Sequence, residues 1–223
     1  MQRGELARRI DHTLLGPKAT RSGVTRLCEE GVRHGVASVC VDPYYASTAR
    51  KALGDSSVKL CVVVGFPQGL TTPEAKAFEA KQAIGAGADE LDMVINVSAL
   101  KDGDEAAVLE DIRGVCAAAQ ASPHPVLVKV ILEMAHLTEE EKVLGANLAK
   151  SAGADFVKTS TGFGSGGATI EDVALLRKTV GAEMGVKAAG GIRDYETAVA
   201  MIEAGATRIG ASRTLDILDA ANS

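Results

Sequence analysis

Ala152-Gly153-Ala154-Asp155-Phe156-Val157-Lys158-Thr159-Ser160 holds a helix end, a turn and the start of an apolar strand within one short stretch. Glycine suits the left-handed residue that closes a helix. The run after Asp155 is short and apolar, as buried strands are. The same theme recurs at Gly85-Ala86-Gly87-Ala88-Asp89 and at Ala204-Gly205-Ala206-Thr207. Helix starts are marked too. Thr72 precedes Pro73, which suits a first-turn position. Thr138 with Glu141 has the spacing of a capping box, and Thr169 and Asp194 fit the N-caps of two later helices.

Working outward from this unit gives candidate strands at Ile10–Thr13, Val36–Val41, Val58–Val64, Glu90–Ile95, Val126–Leu132, Asp155–Thr159, Val186–Ala188 and Arg208–Ala211. A helical pattern follows nearly every one. Alternating β and α units imply a parallel sheet. Eight of them in 223 residues predict a closed (β/α)8 barrel, with an open doubly wound sheet as the alternative. No stretch is rich in Pro or Ser, so residues 1–223 are expected to form a single domain. Ile10-Asp11-His12-Thr13 is the least strand-like of the eight, being short and polar.

Composition narrows the function. Hydrophobic residues make up 46% of the chain and tryptophan is absent, so the core is expected to be built from Val, Ile, Leu and Ala. The net charge of −5, without a long basic run, argues against nucleic acid or an anionic membrane as partner. A small anionic ligand needs only a local site. Cys28, Cys40, Cys61 and Cys116 show no C-x-x-C spacing, and the histidines do not cluster with them. Disulfide, zinc and thioredoxin-like readings are therefore weak. Free thiols in a reducing cytoplasm are the simpler account. Met1 to Arg9 is charged and lacks the apolar core of a signal peptide. The apolar stretch Leu60 to Val64 is far too short to span a membrane.

Chemistry is expected at the C-terminal ends of barrel strands. Lys158 and Lys187 each lie in a short apolar run bounded by glycine. Desolvating an ammonium is costly, so lysine is rarely buried without a reason. Near a second cation, a buried lysine can lose its proton at neutral pH and become a nucleophilic amine. Phe156 and Lys158 share a strand face by alternation. Asp92, in Glu90-Leu91-Asp92-Met93-Val94, is a candidate partner, catalytic or merely a buried counter-ion. Lys129 is a third lysine in an apolar run, and alone it fits a snorkelling side chain as readily as a functional one. Glycines follow the lysine strands, at Gly162-Phe163-Gly164-Ser165-Gly166-Gly167 and Gly190-Gly191, and Gly210-Ala211-Ser212 ends the last strand. Exposed backbone amides after the final strands of a barrel bind phosphate well. Tight turns alone are the plainer alternative.

Seven motifs, in order along most of the chain, resemble the deoxyribose-phosphate aldolase family. They are Asp11-His12-Thr13-Leu14-Leu15, Val64-Gly65-Phe66-Pro67-Gln68-Gly69, Glu90-Leu91-Asp92-Met93-Val94-Ile95-Asn96, Lys129-Val130-Ile131-Leu132-Glu133, Phe156-Val157-Lys158-Thr159-Ser160-Thr161-Gly162-Phe163, Val186-Lys187-Ala188-Ala189-Gly190-Gly191-Ile192-Arg193 and Arg208-Ile209-Gly210-Ala211-Ser212. The resemblance implies reversible cleavage of 2-deoxy-D-ribose 5-phosphate to glyceraldehyde 3-phosphate and acetaldehyde, in deoxyribonucleotide catabolism. It implies Lys158 as Schiff-base lysine and Asp92 with Lys187 as a proton-handling pair. It further implies Gly162, Gly190, Gly191, Gly210 and Ser212 as phosphate-binding residues, with Asp11 supporting the second lysine. No metal or organic cofactor is implied. The expected partners are small phosphosugar and aldehyde substrates, and further copies of the chain as dimer or tetramer.

Two departures stand out. Arg213 follows Ser212 where many members carry a small residue, which bears on the phosphate pocket. The C-terminus, Leu218-Asp219-Ala220-Ala221-Asn222-Ser223, lacks the tyrosine that some members use as a proton relay. Two rivals remain at this level: another Schiff-base aldolase with a different substrate, and a non-catalytic sugar-phosphate-binding barrel.

Overall fold

Eight parallel strands close on themselves in sequence order, β1 to β8. The computed structural model describes residues 1–221; Asn222 and Ser223, the end of the tyrosine-free tail, lie outside the described residues. The strands are β1 (Ile10–Leu14), β2 (Ser38–Val41), β3 (Lys59–Val64), β4 (Glu90–Val94), β5 (Leu127–Ile131), β6 (Phe156–Lys158), β7 (Gly185–Ala189) and β8 (Arg208–Ala211). The helices are α1 (Arg3–Ala7), α2 (Arg21–His34), α3 (Ala46–Leu53), α4 (Pro73–Gly85), α5 (Val97–Lys101), α6 (Glu105–Gln120), α7 (Glu139–Ser151), α8 (Ile170–Val180), α9 (Tyr195–Glu203) and α10 (Thr214–Asp219). Pairing of Ile10 with Ile209 and Asp11 with Gly210 joins β1 to β8, so the sheet is a closed (β/α)8 barrel and not an open one.

The repeated glycine unit has a physical purpose. Gly87, Gly153 and Gly205 all take positive φ, the left-handed conformation in which glycine commonly closes a helix. The polar residue two positions later then ties the incoming strand to the one before it. Asp89 accepts from the backbone N–H of Leu60 at 2.8 Å, and Asp155 from that of Val128 at 2.8 Å. Thr207 does the same for Val186 at 3.3 Å. Asp155 therefore stands just outside β6 rather than opening it. The helix starts fall where the sequence marks them. Thr72, Thr138, Thr169 and Asp194 accept from the backbone N–H three residues on, and Thr138 and Glu141 complete a capping box.

Alternation along each strand separates two environments. One set of side chains, among them Val39, Val62, Met93, Val130, Val157, Val186 and Ile209, packs with the helices in the main apolar core. The opposite set fills the barrel. Branched aliphatic residues usually dominate there. Here the apolar part of the interior is a small cluster of Cys40, Cys61 and Val63, covered by Leu15 and Phe66. Val94 and Ile131 also share the inward face, and most of the remainder is charged. A second buried ion pair, unmarked in the sequence, links α4 to α6: Lys76 Nζ lies 2.6 Å from Asp111 and donates to the Val94 carbonyl at 2.8 Å. Among the described residues, no helix is long and apolar enough to cross a membrane.

Candidate active site

Every strand sends a polar or charged side chain inward near mid-barrel. Asp11 comes from β1, Cys40 from β2, Cys61 from β3, Glu90 and Asp92 from β4, Lys129 from β5, Lys158 from β6, Lys187 from β7 and Arg208 from β8. Apart from Arg208, which keeps a partly exposed edge, all are buried. The sequence-predicted residues meet at one point. Lys158 Nζ and Lys187 Nζ both donate to the same oxygen, Asp92 Oδ2, each at 2.7 Å. Lys187 Nζ also lies 2.5 Å from Asp11 Oδ2. Lys129 is fully buried and does not snorkel. Its ammonium sits 2.8 Å from Asp92 Oδ1, 2.6 Å from Glu90 and 3.6 Å from Asp11.

This arrangement fixes the ionisation of its members. Burial alone would raise the Asp92 carboxyl, but the ammoniums of Lys129, Lys158 and Lys187 override it and hold Asp92 well below the usual carboxylate range. Asp11 is likewise lowered against its burial by Lys187, Lys129 and Arg208. Burial would lower Lys187, yet Asp11 and Asp92 hold it above the ordinary lysine value. Carboxylates depressed in the folded state contribute stability that is present above their unfolded value, about pH 4, and is lost as pH falls below it. The melting temperature is therefore expected to fall steeply below about pH 4. A melting temperature that stays flat down to about pH 2.5 would contradict this ionisation pattern.

Above the charged layer lies a cavity of about 300 Å³ that Lys158 opens into. All five glycine and serine positions singled out from the sequence line it: Gly162, Gly190, Gly191, Gly210 and Ser212. Their reasons for being small differ. A Cβ at Gly190 would lie 3.0 Å from Gly167 Cα and 3.5 Å from Gly162 Cα, and one at Gly167 would strike the Gly190 carbonyl, so the two loops close on each other where side chains would collide. A Cβ at Gly210 would lie 3.1 Å from Lys187 Cε, so this glycine makes room for the lysine stem. Gly191 has φ +80° and open space where a side chain would go, the arrangement expected of backbone facing a ligand. Arg193 joins the lining. Arg213 does not; it pairs with Asp216 at 3.1 Å on the exposed face of α10.

Four neighbours of these residues were not singled out by sequence. Glu90 precedes Asp92 by two residues and shares its face, a signal that period-two alternation carries. Arg208 stands two before Gly210 on β8; its Nη1 bridges Asp11 at 2.6 Å and Glu90 at 3.0 Å. Cys61 donates to Asp92 Oδ1 at 3.1 Å. Glu133, buried and at φ +53°, accepts from the Thr161 hydroxyl and, at 3.2 Å, from its backbone N–H, which anchors the loop carrying Gly162. Thr161 in turn accepts from the Phe163 N–H at 3.0 Å. Cys40, Cys61 and Asp92 offer ligand atoms within 4.8 Å of one another, as do Asp11, Cys61 and Glu90. Lys129 Nζ already sits among these atoms, 3.3 Å from Cys61 Sγ, so the counter-cation here is an ammonium.

The arrangement of carboxylates, lysines and a glycine-lined mouth has parallels among known proteins. A family model described as DeoC/LacD family aldolase matches residues 6–220. The chain is 57% identical over 214 residues to a deoxyribose-phosphate aldolase of a Geobacillus species, covering 96% of this chain and 95% of that one. It is 55% identical over 219 residues to the enzyme of that name from Thermococcus gammatolerans, covering 97% and 96% of the two chains. Among solved structures, the tetrameric deoxyribose phosphate aldolase from Aeropyrum pernix superposes with a TM-score of 0.89 at 38% identity, covering 97% of this chain and 91% of that one.

Proposed function

The chain belongs to the DeoC/LacD family of aldolases, and from that premise we propose that it cleaves 2-deoxy-D-ribose 5-phosphate reversibly to D-glyceraldehyde 3-phosphate and acetaldehyde. The observation that carries this reading is the shared Asp92 oxygen between two buried lysines, one of which opens into a glycine-lined cavity. Lys158 is the nucleophile. Its unprotonated amine adds to the C1 aldehyde of the open-chain sugar, and the resulting carbinolamine takes up a proton and loses water to give an iminium. Removal of the C3 hydroxyl proton then breaks the C2–C3 bond and releases glyceraldehyde 3-phosphate. The bonding pair passes into the iminium, leaving an enamine. Protonation at C2 and addition of water return acetaldehyde and the free amine.

Lys187 enters protonated, held so by Asp11 and Asp92, and supplies the proton donor beside Lys158. Asp92 relays protons between the two amines through one oxygen, with water completing the path to the substrate. Gly191, Gly190, Gly162, Gly210 and Ser212 take the phosphate at the far end, which orients the reacting carbons over Lys158. The enzyme is proposed to act in the cytoplasm, where its free thiols stay reduced. By kinship with the tetrameric relative it is proposed to associate with copies of itself.

Substrate comparison tests the reading. Deoxyribose 5-phosphate should be cleaved with acetaldehyde as product, and free 2-deoxyribose should lose about two orders of magnitude in kcat/KM, or ~2–3 kcal/mol of transition-state stabilisation. Gly191→Leu should erase most of that preference, because its side chain enters the open space facing the cavity and forces a left-handed backbone on leucine. Equal kcat/KM for the two sugars would show that these glycines serve as turns only.

A further inference from the structure

The floor of the barrel carries a charge surplus. Four cationic side chains, Lys129, Lys158, Lys187 and Arg208, are bonded to three carboxylates, Asp11, Glu90 and Asp92. Arg208 lies beneath the lysines, with its guanidinium 5.5 Å over the Phe156 ring, and touches neither Lys158 nor the cavity. Two chains of contacts lead from it to Asp92. One runs through Asp11 and Lys187, the other through Glu90 and Lys129. We propose that Arg208 is a positioning residue whose fixed charge makes the cluster cation-rich, so that the surplus is relieved by release of a proton at the amine that opens to the cavity, Lys158. Glu90 opposes it from the same floor.

The other groups facing this amine do not alter the count. Cys61, from β3, is a thiol held well above its ordinary value by burial first and then by Cys40 and Asp92, whereas Cys40, from β2, is lowered by its hydrogen bond to Cys61 against its burial. At the mouth, Arg193 lines the cavity, and Glu133 lies outside that lining, bonded to Thr161. Arg208 keeps its charge: burial would lower it, but Asp11 and Glu90 raise it above even the usual arginine value. Among the seven charged groups, Lys158 makes a single carboxylate contact, whereas Lys129 and Lys187 are each clasped by two or more. Lys158 is therefore the least clasped of the three lysines and the one that opens to the cavity.

The inference rests on Lys158 as nucleophile, and the experiment separates the two. The pH dependence of kcat/KM reports groups of the free enzyme. Arg208→Met should move its acid limb up by roughly half to one pH unit, the scale of one charge acting across two intervening ion pairs inside a protein. Arg208→Lys should leave the limb within a few tenths of wild type. Glu90→Gln should move it down by a similar amount. Shifts of opposite sign are what a charge role requires; a merely structural loss would lower rates without that pattern. Coincident limbs, or limbs moving the same way, would overturn the proposal. If Arg208→Met does not fold, Arg208→Gln is measured in its place, with the same upward shift expected and an unmoved limb overturning the proposal. Borohydride trapping with acetaldehyde in the same preparations reads the premise: wild-type label away from Lys158 defeats the nucleophile assignment, while label on Lys158 with unmoved limbs defeats only the role of Arg208.

Discussion

Lys158→Ala is expected to lower kcat/KM for deoxyribose 5-phosphate by roughly five orders of magnitude, the loss typical of removing a covalent nucleophile. The protein should nevertheless fold. Lys158 contacts one carboxylate, Asp92, and that carboxylate keeps Lys129 at 2.8 Å and Lys187 at 2.7 Å when Lys158 is gone. No buried charge is stranded, and the remaining cluster holds three cations and three anions. Its melting temperature should match wild type or exceed it, since alanine in the dry interior carries none of the desolvation cost of a lysine head group. Steady-state cleavage and a thermal melt on one preparation check both halves. Activity within tenfold of wild type would remove Lys158 from the chemistry.

Asp92→Asn should damage the fold as well as the reaction. Three ammonium groups converge on this carboxylate. Replacing it by a neutral amide leaves them facing one another with only Asp11 and Glu90 in compensation. Breaking a buried ion pair by removing one partner costs about 3–5 kcal/mol. Turnover should fall by about three orders of magnitude or more, because the proposed relay between the two amines goes with it. Lys187→Leu belongs to the same class. The apolar run around Lys187 suggests that leucine would be tolerated, yet its Nζ lies between two fully buried carboxylates. The substitution should therefore cost several orders of magnitude in turnover and a few kcal/mol of stability. Near-normal turnover in either variant would contradict the pairing. Asp92→Asn with an unchanged melting temperature would contradict the electrostatic account of the interior.

The barrel was legible because each unit carries its own punctuation. Gly153 closes a helix, Asp155 pins the strand bottom and Thr138 caps a helix, all through local chemistry that spacing reveals. Asp92, Lys158 and Lys187 were legible for a different reason: charged residues inside apolar strands are costly, so their presence signals use. Glu90 and Arg208 were not, because each sits at a strand end, where a charge at the water boundary is ordinary. Only closure of β8 onto β1 carries Arg208 over Asp11 and Glu90. Glu133 escaped for a similar reason. Its part depends on the left-handed turn after β5, which brings its carboxylate to Thr161 across the mouth. Lys76 and Asp111 pair between two helices 35 residues apart in sequence, and neither residue is unusual in its own helix.

Borohydride reduction in the presence of acetaldehyde, followed by peptide mass spectrometry, tests the central claim most directly. Reduction freezes the iminium as an N-ethyl amine on whichever lysine formed it. The predicted result is a single ethyl adduct on Lys158, absent from Lys158→Ala. Adduct at full yield on Lys129, Lys187 or a surface lysine, with Lys158 unmodified, would contradict it.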